Sequence, residues 1–229
     1  MDKFLQIAID GPVASGKSDV SSRLAKKLGL TYLYTGAMYR ALAWISAKEG
    51  VPFKDEPRVL ALLRKYSIDL RPPAQNDSRG FSVWVNDENV TNELFTPAMS
   101  QGSSDVSTLT SVRKFMVSRQ QEMATGKSVV MEGRDIGLRV LPHAQLKIYL
   151  TASLEERARR RWEQYKTKGS TKTLAEEIAD TKIRDMQDTN RTADPLQKLP
   201  DAWELDTTDM TQDAVVSAII AELRRRKLI

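Results

Sequence analysis

The stretch Gly11-Pro12-Val13-Ala14-Ser15-Gly16-Lys17-Ser18 follows the apolar run Phe4-Leu5-Gln6-Ile7-Ala8-Ile9 and matches G-x-x-x-x-G-K-[ST]. No other stretch limits the possible folds so strongly, because a phosphate-binding loop needs a strand to feed it and a helix to leave it. Only then do backbone N–H groups and the helix dipole converge on one anion. Ile7 to Asp10 supply the strand end, and Gly11 and Gly16 let the backbone curl without Cβ clashes. Val20, Leu24 and Leu28 then recur every four residues as a helical stripe that Gly29 ends. Lys17 is placed to reach terminal phosphates, and the Ser18 hydroxyl suits Mg²⁺.

The rest of the composition removes other chemistries. Among 229 residues there is no cysteine, which excludes disulfides, thiolate nucleophiles and Cys-ligated zinc. The one histidine, His143, follows Pro142 in a loop and reads as solvated. The start Met1-Asp2-Lys3-Phe4 lacks the apolar segment of a signal peptide, and no stretch approaches the roughly 18 apolar residues of a membrane span, so a cytoplasmic protein is expected. A net charge of +5 suits polyanionic ligands, but the arginines are dispersed. The run Arg224-Arg225-Arg226-Lys227 reads as a solvated helix end, not a nucleic-acid contact.

Along the chain, Thr31-Tyr32-Leu33-Tyr34 is β-prone and Thr35 is placed to cap a helix that carries Arg40, a second candidate anion site. Residues 50 to 100 are punctuated by Pro52, Pro57, Pro72 and Pro73, and Gly80 to Asp87 alternates toward a turn, as in a hairpin-bearing insertion. A helix is expected from Leu109 to Met123, closed by Gly126. Ser128-Val129-Val130-Met131 reads as a buried strand running into Glu132-Gly133-Arg134-Asp135, and Leu146 to Leu150 as another. The charged helix from Glu155 to Tyr165 carries Arg157, Arg159, Arg160 and Arg161, either a solvated face or an arginine lid. On the helix from Ala175 to Arg191, residues Arg184, Asp188 and Arg191 share one face, as an ion-pair ladder or as a charged wall toward a ligand. Ala202 to Leu205 and Thr211 to Lys227 complete the chain as strand and helix. Alternating strands and helices behind a phosphate loop predict an α/β fold of the P-loop NTPase type, a parallel sheet flanked by helices.

Six motifs in order, IAIDGPVASGKS, YTGAMYRA, Val85 to Ser104, SVVMEGRDIG, IYLTASLEERARRR and RDMQDTNR, resemble the bacterial cytidylate kinases, within the nucleoside monophosphate kinases. The resemblance covers nearly the whole chain. It implies ATP-dependent phosphoryl transfer to CMP and dCMP by a monomer acting on small molecules, with Mg²⁺ as cofactor. It implies a core at 1–40 and 105–229, a lid at about 155–172, and a monophosphate-binding insertion at 41–104. By the same resemblance, Gly11 to Ser18 hold the ATP phosphates and Mg²⁺, and Arg157, Arg160 and Arg161 belong to the lid. Thr35, Arg40, Arg134 and Arg191 match positions around the acceptor phosphate. Ser104, Arg113 and Asp135 match those reading cytosine, and Arg184 and Asp188 those at the sugar. Lys17, Arg134, Arg160, Arg161 and Arg191 are thus the implied catalytic group. A carboxylate and an arginine complement the pairing edge of cytosine, whereas uracil would face Asp135 with a carbonyl.

Three positions depart from the family's usual pattern. Asp19 stands where Thr commonly follows the loop serine, Tyr34 stands where Asp usually precedes Thr-Gly, and Gln187 replaces an arginine seen in some members. Asp19 is the candidate replacement for the charge missing at 34. The competing readings are an ATP-binding regulatory P-loop protein, or a kinase for another small acceptor such as UMP.

Overall fold

The apolar run ahead of the phosphate loop forms β1 (Gln6–Asp10), the central strand of the sheet, whose Ile7, Ala8 and Ile9 are wholly buried. A computed structural model describes residues 4–73, 79–167 and 169–229. Lys168, within the expected lid, and Met1-Asp2-Lys3 lie outside the described residues. The chain divides into two compact units, Met1–Thr31 with Lys127–Ile229, and Tyr32–Gly126.

In the first unit, β6 (Val129–Gly133) and β7 (Leu146–Thr151) flank β1, and β8 (Trp203–Asp206) extends the sheet beyond β7. The full order is β2-β6-β1-β7-β8, where β2 (Thr31–Tyr34) leads the chain from the first unit into the second. The paired strands run parallel, with Asp10 level with Gly133 on one side and with Tyr149 on the other. This register brings the phosphate loop after β1 and the Arg134-Asp135 turn after β6 to the same carboxyl edge, where ligands of open α/β sheets bind.

Helices α1 (Lys17–Leu28), α6 (Leu154–Lys166), α7 (Leu174–Asn190) and α8 (Gln212–Arg225) complete this unit. The starts of α6, α7 and α8 follow ordinary capping chemistry: Ser153, Thr173 and Thr211 each accept from the backbone N–H three residues on, and Thr173 with Glu176 forms a capping box. Leu24 of α1 and Val216, Ile219 and Leu223 of α8 are fully buried, so each of these two helices turns one apolar face to the core.

The second unit has its own core of Met38, Leu42, Ile45, Val59, Val83, Leu94, Val112 and Met116. It contains α2 (Thr35–Lys48), α3 (Glu56–Lys65), α4 (Pro97–Val106) and α5 (Thr110–Ala124), with an antiparallel sheet of β3 (Ile68–Arg71), β4 (Ser82–Val85) and β5 (Glu88–Asn89). The expected hairpin is therefore β4 and β5, and Asn86 turns it with φ 52°. This unit is wider than residues 41–104, because Ala37 and Met38 of α2 and Val112 and Met116 of α5 lie in its core. Thr35 is not the cap of α2: Tyr34 occupies that place, and Thr35 is the buried first residue of the helix. Among the described residues, no helix is long and apolar enough to cross a membrane.

Candidate active site

The phosphate loop curls as its glycines require. Gly11 has φ 154°, and a Cβ there would lie 2.0 Å from the Leu150 carbonyl oxygen, so only glycine lets the loop pass β7. Gly16, at φ 89°, is the N-cap of α1 and turns the chain into that helix. Within the loop, Ser15 Oγ donates to the Pro12 carbonyl at 3.1 Å. Lys17 Nζ donates to the same carbonyl at 2.6 Å and to Ser15 Oγ at 3.2 Å. Lys17 is buried, and its ammonium is pushed well below the usual lysine range, first by burial and next by the Arg134 cation. Glu132, Asp188 and Asp10 act in the opposite sense.

Around this loop the first unit gathers most of the charged residues read from the sequence. Arg134 Nε donates to Asp188 Oδ2 at 2.7 Å, and Arg184 Nε lies 3.6 Å from Asp188 Oδ1. Burial alone would raise the Asp188 carboxyl, but Arg134 and Arg184 outweigh it and hold the group at about 2. Arg191, the C-cap of α7, is buried; its Nε donates to the Asp194 carbonyl at 2.8 Å and its Nη2 lies 3.4 Å from Asp135 Oδ1. The helical spacing of Arg184, Asp188 and Arg191 thus describes an inward charged wall rather than a surface ladder.

The α6 arginines are fixed at different points. Arg157 is buried and donates to the carbonyls of Ala152 at 2.9 Å and Val13 at 3.3 Å, while pairing with Asp185 at 2.6 Å. It braces the phosphate loop from behind. Arg160 donates to the Thr207 carbonyl at 2.7 Å and to Glu156 at 2.8 Å, and its Nη1 lies 3.9 Å from where a Gly16 Cβ would be. Arg161 pairs with the buried Glu177 at 2.8 Å.

In the second unit, Arg40 donates to the Leu94 carbonyl at 3.0 Å and Ser100 Oγ at 3.3 Å, with its guanidinium over the Phe95 ring. Ser104 and Arg113 are buried; Arg113 lies 5.9 Å from the centroid of the Tyr39 ring.

Two of the departures are explained locally. Tyr34 packs on Phe81 and Phe95, with ring centroids 5.2 and 6.3 Å away. Asp19 is exposed and accepts from Gln212 Nε2 at 3.1 Å. The Asp19 carboxylate is engaged with the first residue of α8, and the first turn of α1 tolerates it as any helix N-terminus does. His143 is exposed, and Arg225 and Arg226 both pair with Glu222, which fits a solvated helix end. Nothing in the structure accounts for Gln187.

Sequence reading missed Asp10, Glu177 and Asp185. Glu177 and Thr181 are buried with Asp188 along α7, so the spacing of polar residues extends the inward face one way further than the arginines alone suggest.

The model of the cytidylate kinase family matches residues 7–225 of this chain. The chain belongs to the cytidylate kinase family. It is 44% identical over 221 residues to a cytidylate kinase of Caldanaerobacter subterraneus subsp. tengcongensis, covering 96% of this chain and 95% of that one. It is 46% identical over 226 residues to a cytidylate kinase of Oceanobacillus iheyensis, covering 97% and 95%. A crystal structure of an uncharacterized protein from Eubacterium ventriosum shares the fold at TM-score 0.51 and 14% identity, covering 97% of this chain and 99% of that one. Membership of the cytidylate kinase family makes ATP the phosphoryl donor.

Among the described residues no cluster of three or more acidic or histidine side chains could cage a metal ion. Kinases hold Mg²⁺ mainly through water and phosphate oxygens, so a single protein hydroxyl is the donor such a site asks for. Ser18, beside Lys17 at the start of α1, is the residue that would hold it.

Proposed function

We propose that the protein transfers the γ-phosphoryl group of ATP to CMP and dCMP, giving CDP and dCDP, as a cytoplasmic monomer acting on small molecules. The observation that carries this reading is the gathering, in one unit, of a phosphate loop with its buried Lys17 and of the Arg134–Asp188–Arg184 and Arg191–Asp135 pairs. The first set suits a nucleoside triphosphate. The second suits a nucleoside monophosphate, which needs donors for its phosphate and acceptors for its hydroxyls and exocyclic amine.

In this reading Gly11, Pro12, Val13, Ala14, Ser15, Gly16 and Lys17 bind the ATP phosphates, and Ser18 holds Mg²⁺. The bound cation neutralises charge on the phosphate oxygens. Arg157 supports the loop, while Arg160 and Arg161 neutralise the transferring group. Arg134, Arg191, Thr35 and Arg40 bind the acceptor phosphate, Arg184 and Asp188 bind the sugar, and Ser104, Arg113 and Asp135 read the base. No general base is required, because a phosphate monoester with a second pKa near 6 is already mostly dianionic at neutral pH. Catalysis then consists of aligning two anions and stabilising charge in a dry site.

Initial rates with ATP–Mg²⁺ and CMP, dCMP, UMP, AMP or GMP test the reading. Rapid conversion of CMP and dCMP, with UMP well behind, is the expected result. Preference for UMP, or binding of ATP without transfer to any acceptor, would overturn it.

A further inference from the structure

Asp10 ends β1 and immediately precedes the phosphate loop, yet phosphoryl transfer as derived above gives it no role. It is a buried carboxylate with both oxygens occupied. Oδ1 accepts from the backbone N–H of Ile136 and Oδ2 from that of Gly137, each at 2.8 Å. The register makes this possible: Asp10 lies level with Gly133, so the chain leaving β6 through Arg134-Asp135 doubles back over the end of β1. There Ile136–Val140 forms a single π-helical turn that starts on the Asp10 carboxylate. Such turns are rare, and they recur at functional positions. Asp135, the residue before the turn, has φ −148° and ψ 25°, which belongs to neither a regular strand nor a helix.

We propose that Asp10 is a positioning residue for base selection, its carboxylate fixing the Ile136 and Gly137 amides and through them the backbone on which Asp135 stands. Asp135 is thereby tied on one side to the strand that carries the phosphate loop and on the other, through its own carboxylate, to Arg191 at the end of α7. An alcohol or amide at position 10 would not serve two N–H donors equally, whereas a carboxylate accepts on both oxygens. Burial pushes the Asp10 carboxyl up to about 6 against the pull of its two amide bonds, with Asp135 adding repulsion, so the group is retained at a cost to the fold. The inference rests on the assignment of Asp135 to the cytosine base.

Dissociation constants for CMP, UMP and ATP, measured by titration calorimetry on the full chain, test it in the wild type, Asp10→Asn, Asp135→Asn and the double variant. Asp10→Asn keeps the shape of the side chain but turns an N–H₂ toward one of the two amides. The expected result is CMP binding weakened at least tenfold, with UMP and ATP affected less than threefold. Because Asp10 acts through Asp135, adding Asp10→Asn to Asp135→Asn should cause no further loss of CMP selectivity. Equal weakening of CMP and UMP, or full additivity in the double variant, would show that Asp10 supports the fold alone. If Asp135→Asn leaves the CMP-to-UMP ratio unchanged, the base-reading assignment falls and this inference with it. A changed ratio for Asp135→Asn but not for Asp10→Asn overturns the inference alone. Asp10→Ser, smaller and also uncharged, is the second variant should Asp10→Asn fail to fold, and the same pattern is expected of it.

Discussion

Asp188, buried near the end of α7, receives a hydrogen bond from Arg134 of the β6 turn at 2.7 Å while Arg184, one turn back on its own helix, stands 3.6 Å away. One carboxylate thus holds two cations from separate segments at the carboxyl edge of the sheet. Removing its charge takes a shared, buried counter-ion from both arginines at once, which matters more than the loss of one attractive pair.

Asp188→Asn should therefore destabilise the protein by about 3 kcal/mol and weaken CMP binding. The folded-state carboxyl is held at about 2, below its unpaired value of 3.8, so its stabilising contribution is complete above pH 4 and is lost as pH falls toward 2. That contribution is about 2 kcal/mol. Urea unfolding at pH 4.5 and pH 2.5 should show a steeper loss in the wild type than in the variant. Parallel curves would contradict the pairing.

Asp10 works in the opposite direction. Its carboxyl is raised from 3.8 to about 6 by burial, so the folded state binds the proton more tightly than the unfolded chain does. The associated stability is present below pH 4 and is lost as pH rises through about 6, a change of about 3 kcal/mol. Relative to Asp10→Asn, the wild type should lose stability between pH 4 and pH 6.5. A difference that is constant or grows with pH over this range would refute the buried carboxylate.

Tyr34 lies within an aromatic group with Phe81 and Phe95, and its ring lies 2.6 Å from where a Cβ on Gly36 would be. Restoring the family's aspartate by Tyr34→Asp should cost about 2 kcal/mol through lost ring packing and an unpaired charge. Asp19→Thr, on an exposed position, should change stability by less than about 0.5 kcal/mol. It should leave the KM for ATP unchanged within twofold. Denaturation and steady-state kinetics on both variants measure these effects, and a large change in ATP affinity for Asp19→Thr would return that residue to the phosphates.

Much of the site was legible because its chemistry sits on short, local patterns. The phosphate loop announces itself by two glycines, a lysine and a serine between a strand and a helix, and Gly11 meets Leu150 as that pattern demands. Spacing put Arg184 and Asp188 on one face of α7 but left a surface ladder and an inward wall both open, and only the burial of Asp188 and Arg191 favours the wall. What spacing does not encode is the partner in another segment. Asp10 reads as the polar end of a strand until the β1–β6 register sets it beside the amides of Ile136 and Gly137. Arg157 reads as one of four arginines on a charged helix, and only burial against the Val13 and Ala152 carbonyls sets it apart from the exposed Arg159. Thr35 has the chemistry of a cap, but α2 begins with it because Tyr34 takes the extended conformation before the helix.

The central claim is transfer of a phosphoryl group to a cytidine nucleotide through Lys17. The most direct measurement follows label from [γ-³²P]ATP–Mg²⁺ with CMP present, in the wild type and in Lys17→Ala, with both proteins shown to be folded. Lys17 is buried and desolvated, so its removal should leave stability intact while lowering transfer by at least about a hundredfold, roughly 3 kcal/mol of transition-state stabilisation. The account predicts label in CDP for the wild type and almost none for the variant. Label released as inorganic phosphate with no CDP, or a loss below tenfold in Lys17→Ala, would contradict it.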